Sequence, residues 1–469
     1  MSVIALSGSY LLNGQNQPDT KPNIVFIEVD DLMFEFKGFY DSEFIKTPNI
    51  DKLAQEGVFF KNASCQGMMC GPSRNSLMTG MYPHNLGFYY NGQLRKLPEG
   101  VWTFPQGLQR AGYYTAWVGK SHIRPGGKDK TKAMKRKMGF DFVKQTKGRV
   151  VLCRNLKNNK NVDNDWYLSY LKSKGKLETF KKQCYKISTL DDDYLDGFFT
   201  AEAIKFIKDY NRQKPLFLWL NYTLPHGPFD VPEKYHTYKP ENMPGPTTTT
   251  NYKTPEGLIR KTKPIKGDNK IKKYQAGFCA NISYLDKQVG KIIEALKQNQ
   301  LYKNTVIVFF SDHGLMMGNH NLIHKGTLFR EVTDPVLVIS WPAKMQKNII
   351  IDDPVELTDL VRTTLELAGA GKKDLNMRKT SVSLLPALYR AEHINRKYAF
   401  GEVEDYIMVT DGKYRLIKGD DTVLLFDDEK DPFNLTDIAG EHPDIVKTLS
   451  NAIDNWIKET GRILPPKTF

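Results

Sequence analysis

No stretch of this 469-residue chain runs for 18 apolar positions, so no segment reads as a membrane-spanning helix. No internal repeat or low-complexity tract stands out, which leaves out solenoids, propellers and fibrous designs. No nucleic-acid motif accompanies the basic excess, so nucleic acid is not an expected partner. Cysteine is scarce. The five residues Cys65, Cys70, Cys153, Cys184 and Cys279 are an odd number and cannot form a closed set of pairs. Residues 1–12 are mildly apolar but hold no basic residue, which makes them a poor or truncated signal peptide. Residues 13–22 read as a polar leader.

What is present fits a globular enzyme. Hydrophobic residues make up 40% of the chain, enough for large buried cores, and the length allows two or three domains. The net charge is +14, from 67 basic and 53 acidic residues, and the excess is uneven. Residues 120–190 hold twenty Lys or Arg against five Asp or Glu, and residues 251–273 hold eight against two. Such a balance fits a solvated face, or a docking surface for a polyanion such as a sulfated polymer. Asn-x-Ser/Thr triplets occur at Asn62, Asn221, Asn281 and Asn434, and matter only on a eukaryotic secretory route.

Along the chain, chemically useful side chains collect after apolar strands. Residues 23–29 (Asn-Ile-Val-Phe-Ile-Glu-Val) read as a buried strand that stops at Asp30-Asp31. Adjacent carboxylates repel, and a hard cation such as Ca²⁺ or Mg²⁺ relieves that repulsion. Open α/β sheets place ligands beyond such strand ends. A helix follows over 47–57, then a strand over 58–63 and a helix over 104–111. The strand 113–118 leads to Gly119-Lys120-Ser121-His122, a fixed positive charge near an imidazole that exchanges a proton near neutral pH. The lysine-rich 125–191 reads as an insertion over the sheet. After a helix over 195–210, the strand 216–221 leads to Pro225-His226-Gly227-Pro228, with His226 a candidate acid for a leaving oxygen.

Residues 230–273 read as a long irregular loop, and 276–300 as an amphipathic helix. The strand 304–310 ends in Ser311-Asp312-His313-Gly314, an acid and an imidazole able to complete a cation site with Asp30 and Asp31. Lys325 follows, then a strand over 335–341 and a helix over 356–367. Beyond 372, short alternating runs with turns at Asp411-Gly412 and Gly419-Asp420 predict a small antiparallel sheet. A helix over 444–460 closes the chain.

The stretch 70–80 reads Cys-Gly-Pro-Ser-Arg-Asn-Ser-Leu-Met-Thr-Gly. Pro72 suits a first helical position, which puts Cys70 just ahead of a helix N-terminus, where backbone N–H groups favour an anion. Arg74 can project back over the same end. The pattern Cys-x-Pro-Ser-Arg-x-x-Leu-x-Thr-Gly resembles the signature of the type I, formylglycine-dependent sulfatases of the alkaline phosphatase superfamily. The resemblance runs from 23 to about 435, through Asp30-Asp31, Gly119-Lys-Ser-His, Pro225-His-Gly-Pro, Ser311-Asp-His-Gly, Lys325 and Asp411-Gly-Lys-Tyr-Arg. It implies an alkaline-phosphatase-like α/β/α sandwich over 22–372 and a smaller C-terminal α+β part with an antiparallel sheet over 373–469.

The same resemblance implies a mechanism. Cys70 would be oxidised to formylglycine, hydrated to a geminal diol, by a partner that is a formylglycine-generating or an anaerobic maturation enzyme. Asp30, Asp31, Asp312 and His313 would hold one Ca²⁺, which would also bind residue 70. Position 313 is more often an amide in the wider family, and imidazole also suits transition metals. One diol hydroxyl would attack sulfur, with Arg74, Lys120 and Lys325 stabilising the developing charge. His226, with Lys325, would protonate the leaving alcohol, and His122 would help deprotonate the second hydroxyl to expel sulfate. The lysine-rich segments favour a sulfated polysaccharide or its oligosaccharides as substrate. The family usually works in the periplasm or outside the cell. Two other readings stand beside this one: a phosphonate or phosphate ester hydrolase of the same superfamily, and a polyanion-binding protein whose Cys70 is unmodified. With Cys70 set aside, four cysteines remain, of which Cys153 and Cys184 could pair; the sequence alone does not decide it.

Overall fold

A strand that is apolar on both sides belongs inside a sheet covered on both faces. Strand β1 (Asn23–Asp30) is buried at every position after Asn23. The computed structural model describes residues 21–33, 44–93, 96–125, 129–158, 165–211, 213–419 and 422–462. In it β1 lies within an eight-stranded mixed sheet. The other members are β2 (Val58–Ser64), β3 (Tyr114–Lys120), β4 (Phe142–Thr146), β5 (Leu216–Pro225), β7 (Thr305–Ser311), β9 (Leu337–Ser340) and β10 (Ile349–Glu356), in the order β10-β2-β9-β7-β1-β5-β3-β4. β9 runs antiparallel to both β2 and β7, and the other pairings are parallel. Two short strands, β6 (Lys263–Pro264) and β8 (Leu322–Ile323), pair outside this sheet.

The period-2 alternation of β1 sends Ile24 and Phe26 into one core, and Val25, Ile27 and Val29 into another. Helix Cys70–Thr79 adds Leu77 and Met78 to the first. The long helix Asp268–Gln298 adds Ile282, Leu285, Val289, Ile292 and Leu296 to the second. The result is the α/β/α sandwich that the strand pattern and the resemblance implied. A second, antiparallel sheet consists of β11 (Ala399–Val403), β12 (Tyr406–Thr410), β13 (Tyr414–Gly419) and β14 (Thr422–Asp427). One of its faces, through Met408, Ile417 and Phe426, joins the first core of the large sheet. Helix Pro443–Thr460 covers the other face through Leu449, Ile453 and Trp456.

Several expectations are corrected. Although Leu152, Leu168 and Phe180 do pack into the core on the sheet's second face, residues 125–191 are more than an insertion over the sheet. They supply edge strand β4 and the helices Lys130–Met138, Arg149–Lys157, Trp166–Ser173 and Leu177–Lys182. Each helix is short and buries few apolar residues, so a lysine-rich sequence hides its period. The long helix starts at Asp268, eight residues before the apolar pattern begins. β10 has no counterpart in the sequence reading. Its Asp352-Asp353-Pro354 break a strand pattern, and they are tolerated because β10 is an edge strand with irregular register between Ile351 and Pro354. The four Asn triplets are not surface acceptors, since Asn62, Asn221, Asn281 and Asn434 are all buried. Cys153 and Cys184 form a disulfide with Cα atoms 5.6 Å apart. Cys65, Cys70 and Cys279 are buried and lie outside that disulfide. The leader over 1–20 and position 420 of the last turn lie outside the described residues.

Candidate active site

Parallel strands β3, β5, β1 and β7 end on one side of the sheet, and each delivers polar groups there. β1 ends at Asp30 and β3 at Lys120, while β5 leads to His226 and β7 to Asp312. The helix Cys70–Thr79 follows β2 and starts at Cys70 itself, with Met69 as its N-cap and Pro72 inside the first turn. Ser73 Oγ donates to the Asp312 carbonyl at 2.6 Å, which fixes this helix to the end of β7. Asp31 adopts a positive φ of 78°, a left-handed turn that a short polar side chain tolerates. The chain thus reverses at the strand end, and both Asp30 and Asp31 meet Lys325.

Cys70 Sγ is the meeting point. It donates to Asp30 Oδ1 at 3.1 Å, accepts from Lys325 Nζ at 3.1 Å, and lies 3.4 Å from His313 Nε2. Ligand atoms of Asp30, Asp31, Cys70 and His313 all lie within 4.8 Å of one another. His313 Nδ1–H donates to the Gly314 carbonyl at 2.9 Å, which leaves Nε2 as the nitrogen with a lone pair facing residue 70. Asp312 stands just outside that set. Its Oδ2 accepts from Arg74 Nε at 2.9 Å and its Oδ1 from the His313 N–H at 3.0 Å. Arg74, fully buried, also reaches Asn221 Oδ1 at 3.0 Å and Glu28 Oε2 at 3.1 Å. Lys120 is ion-paired with Asp30 and Lys325 with Asp31. His226 Nδ1–H donates to the Gly227 carbonyl, and its Nε2 lies 3.8 Å from Asp31 Oδ2. His122 takes a positive φ of 43°, and its buried Nδ1 has no partner.

Burial dominates the electrostatics. It pushes the Cys70 thiol up to about 12; Lys325 pulls the other way, while Asp312 and Asp31 add to the rise. An unmodified thiol here is protonated and a poor nucleophile near neutral pH. Burial raises Asp31 to about 6 against the pull of Lys325, and Glu28 to about 7 against that of Arg74. It lowers Lys120 to about 8 and His313 to about 3. His122 and His226 are held well below the usual imidazole range by burial and by the cations of Lys120 and Lys325. For Asp312, burial is outweighed by His313, Arg74 and the two lysines, and its carboxyl lies below the usual range.

A divalent cation fits this donor set. Two buried carboxylates and a neutral imidazole bring ligand atoms to within 4.8 Å of one another and of Cys70 Sγ. The sequence reading missed three contributors. Glu28 binds Arg74 and accepts from Trp219 Nε1 at 2.8 Å; a lone charge inside the apolar run of β1 was the available signal. Asn221 holds the Arg74 guanidinium from within β5. Asp196 accepts from the N–H groups of Thr223 (2.6 Å) and Leu224 (3.2 Å), just ahead of His226; nothing in its sequence context marks it.

An α/β/α sandwich that buries a carboxylate pair, an imidazole and three fixed cations around a helix N-terminus defines a hydrolase of anionic esters, of the alkaline-phosphatase-like kind. The sequence model of the family described as Sulfatase matches residues 22–370. The chain belongs to that family and is a sulfate ester hydrolase. It is 29% identical over 451 residues to an arylsulfatase of Clostridium perfringens, covering 89% of this chain and 90% of that protein. To human iduronate 2-sulfatase it is 28% identical over 347 residues, covering 69% and 60%. Among solved structures, the phosphonate monoester hydrolase of Agrobacterium radiobacter superposes with a TM-score of 0.78 at 21% identity, over 94% and 96% of the two chains. A protein solved in complex with its substrate D-glucosamine-2-N,6-O-disulfate superposes with a TM-score of 0.77 at 20% identity, over 96% and 100%. These two likenesses are of fold.

Proposed function

We propose that this protein removes sulfate from a sulfated glycan, using a formylglycine made from Cys70 by a maturation enzyme and one Ca²⁺ ion. Asp30, Asp31 and His313 would hold the ion together with residue 70, and Asp312 would complete the set. The observation that carries the reading is that ligand atoms of Asp30, Asp31, His313 and Cys70 gather within 4.8 Å of one another. When bound, the ion supplies a Lewis acid and a template for the sulfate. The hydrated aldehyde supplies a nucleophilic oxygen and a second hydroxyl for release. The protonated state of the Cys70 thiol supports a need for that modification.

The chain's own residues then divide the work. Cys70 Sγ stands in for the attacking oxygen. Arg74 is pinned by Glu28, Asn221 and Asp312 and holds the Asp312 carboxylate in place. Lys120 and Lys325 are buried, so their charges act on the sulfuryl oxygens at low dielectric. The His226 side chain is 34% exposed, so the leaving alcohol departs past it. Burial first, and then the charges of Lys325 and Lys120, keep that ring neutral. An anionic ester bound between the lysines offsets them, and His226 Nε2 can then carry the proton that the leaving oxygen receives. His122 would accept the proton of the second hydroxyl, and its unpartnered Nδ1 supports that role.

Relatives support a glycan. An N-acetylglucosamine-6-O-sulfatase of Bacteroides thetaiotaomicron is 24% identical over 433 residues, and an ulvan-active sulfatase of Formosa agariphila 27% over 361. The Cys153–Cys184 disulfide supports an oxidising compartment, periplasmic or extracellular. Mass spectrometry of the peptide carrying residue 70 tests the modification. An aldehyde or its hydrate is expected, and an unmodified thiol throughout a fully active preparation would overturn it. Paired aryl sulfate and aryl phosphonate esters test the reaction. A preference for the phosphonate would move the reading to the activity for which the Agrobacterium neighbour is named.

A further inference from the structure

Beside the catalytic loop lies a cleft of about 470 Å³, within the roughly 300–1,000 Å³ typical of small-ligand sites. Phe229, Tyr238 and Tyr274 line it, Lys270 and Lys273 stand at its edge, and Ile187 closes one side. It is built into the same framework as the proposed acid. Phe229 follows His226 by three residues. Asn281, fully buried, donates to the carbonyls of Pro225 (3.1 Å), His226 (3.4 Å) and Pro228 (3.3 Å). The helix that carries Lys270, Lys273 and Tyr274 therefore also fixes the position of His226. The Phe229 and Tyr274 rings meet edge to face at 4.5 Å. Gly277 lets Phe229 lie against the helix, since a Cβ there would come 2.7 Å from the Phe229 Cβ. Tyr274 also feels the charges of Asp31 and Lys325, so the cleft and the catalytic centre share one electrostatic environment.

The lining is aromatic and the rim is cationic. Lys272 is paired with Asp268 at 3.3 Å, whereas Lys270 and Lys273 are exposed and enter no ion pair among the described residues. Ile187 is 40% exposed and the nearby Tyr185 is 49% exposed. Their segment is anchored by the disulfide at Cys184 and by the Ser188 N–H on the Asp230 carbonyl at 2.9 Å. An apolar wall at this level of exposure, next to two uncommitted ammonium groups, suits a ring with an apolar face and an anionic substituent.

We propose that this cleft is the subsite for the sugar beyond the scissile ester. The pyranose ring sits against Phe229 and Tyr274, and its own carboxylate or second sulfate lies between Lys270 and Lys273. The lysines act as point charges, so either anion satisfies them. The proposal rests on the sulfatase reading above and adds that the substrate carries at least two negative charges. The test compares the Lys270→Ala/Lys273→Ala double variant with the unmodified sequence on an aryl sulfate, a disulfated neutral disaccharide and a monosulfated disaccharide containing a uronic acid. Two lost charge contacts predict a fall of roughly ten-fold in kcat/KM on one or both disaccharides, mainly through KM, beyond any fall on the aryl sulfate. The disaccharide affected identifies the anion. The Lys270→Arg/Lys273→Arg variant should restore most of the loss. Equal losses on all three substrates, or none on either disaccharide, would overturn the subsite. If the unmodified sequence turned over no sulfate ester at all, the sulfatase reading itself would fall, so the two failures are distinct.

Discussion

Two clusters of buried charge hold this molecule together, and they are built differently. Where the small sheet joins the large one, Arg415 Nη2 meets both Asp334 oxygens at 2.8 and 2.9 Å, its Nε reaches Asp428 at 2.9 Å, and its Nη1 reaches Thr333 Oγ1 at 2.6 Å. Arg330 adds a second guanidinium on Asp334, and Asn434 donates to Asp428. Although burial opposes it, Arg415 and Arg330 hold the Asp334 carboxyl below its ordinary range. Around Cys70 the same residue types are left short. Glu28 Oε1 and Arg74 Nη2 have no hydrogen-bond partner, and the carboxyls of Glu28 and Asp31 are raised rather than lowered. Every nitrogen of the buried Arg415 guanidinium has a partner. Charge buried for chemistry keeps capacity in reserve for what binds there.

That contrast can be broken at either end. Cys70→Ala should abolish turnover while the melting temperature stays close to that of the parent, because only the nucleophile is lost; a variant with normal turnover refutes the assignment. Exhaustive chelation should inactivate the enzyme, and Ca²⁺ should restore it. Activity that survives prolonged chelation counts against Asp30, Asp31, Asp312 and His313 as an ion site. Arg415→Met should behave in the opposite sense. It takes the guanidinium from buried Asp428 and one of two from Asp334, which costs about 3–5 kcal/mol, so denaturant midpoints should drop sharply. The fraction that stays folded should keep its kcat. A loss of kcat without loss of stability would show that the two clusters are not separable in this way.

The comparison also explains what could be read from the sequence. Strand ends announced themselves, because a near-continuous apolar run that stops at Asp30-Asp31 or at Ser311-Asp312-His313 admits few other meanings. The pairing of those ends was not written locally. It follows from β1 lying between β5 and β7, a long-range fact. Both edges of the sheet were missed, β4 inside a lysine-rich stretch and β10 behind Asp352-Asp353-Pro354, because edge strands tolerate the charges and prolines that erase a strand pattern. Glu28 was hidden differently. Its partners Arg74 and Trp219 are far off in sequence, so only the tertiary structure shows why a carboxylate sits mid-strand.

The seam between the two sheets offers a gentler test of saturation, at His320. Its Nε2–H donates to the Phe433 carbonyl at 2.7 Å, its ring stacks on Phe329 with centroids 4.1 Å apart, and its Nδ1 has no partner. Glu331 Oε1 lies 4.0 Å from Nε2, the nitrogen already bonded to Phe433, and Nδ1, which would take the second proton, has no acceptor. Burial therefore lowers this imidazole to about 4, although the Phe433 carbonyl pulls upward. The unfolded chain takes up a proton near 6.5 and the folded protein does not until near 4. Between those values the unfolded state binds more protons, so stability rises with pH. The contribution is complete above pH 6.5, is lost progressively as pH falls from 6.5 to 4, and changes no further below 4, a total of about 3 kcal/mol. Urea unfolding of the parent and of His320→Gln at pH 7 and pH 4.5 isolates it, since the other titrating groups are common to both. The parent should lose about 2–3 kcal/mol more than the variant between those two conditions. Equal losses would mean that the ring accepts its second proton without leaving the stack, and the seam would then tolerate an unpaired charge as the Cys70 cluster does.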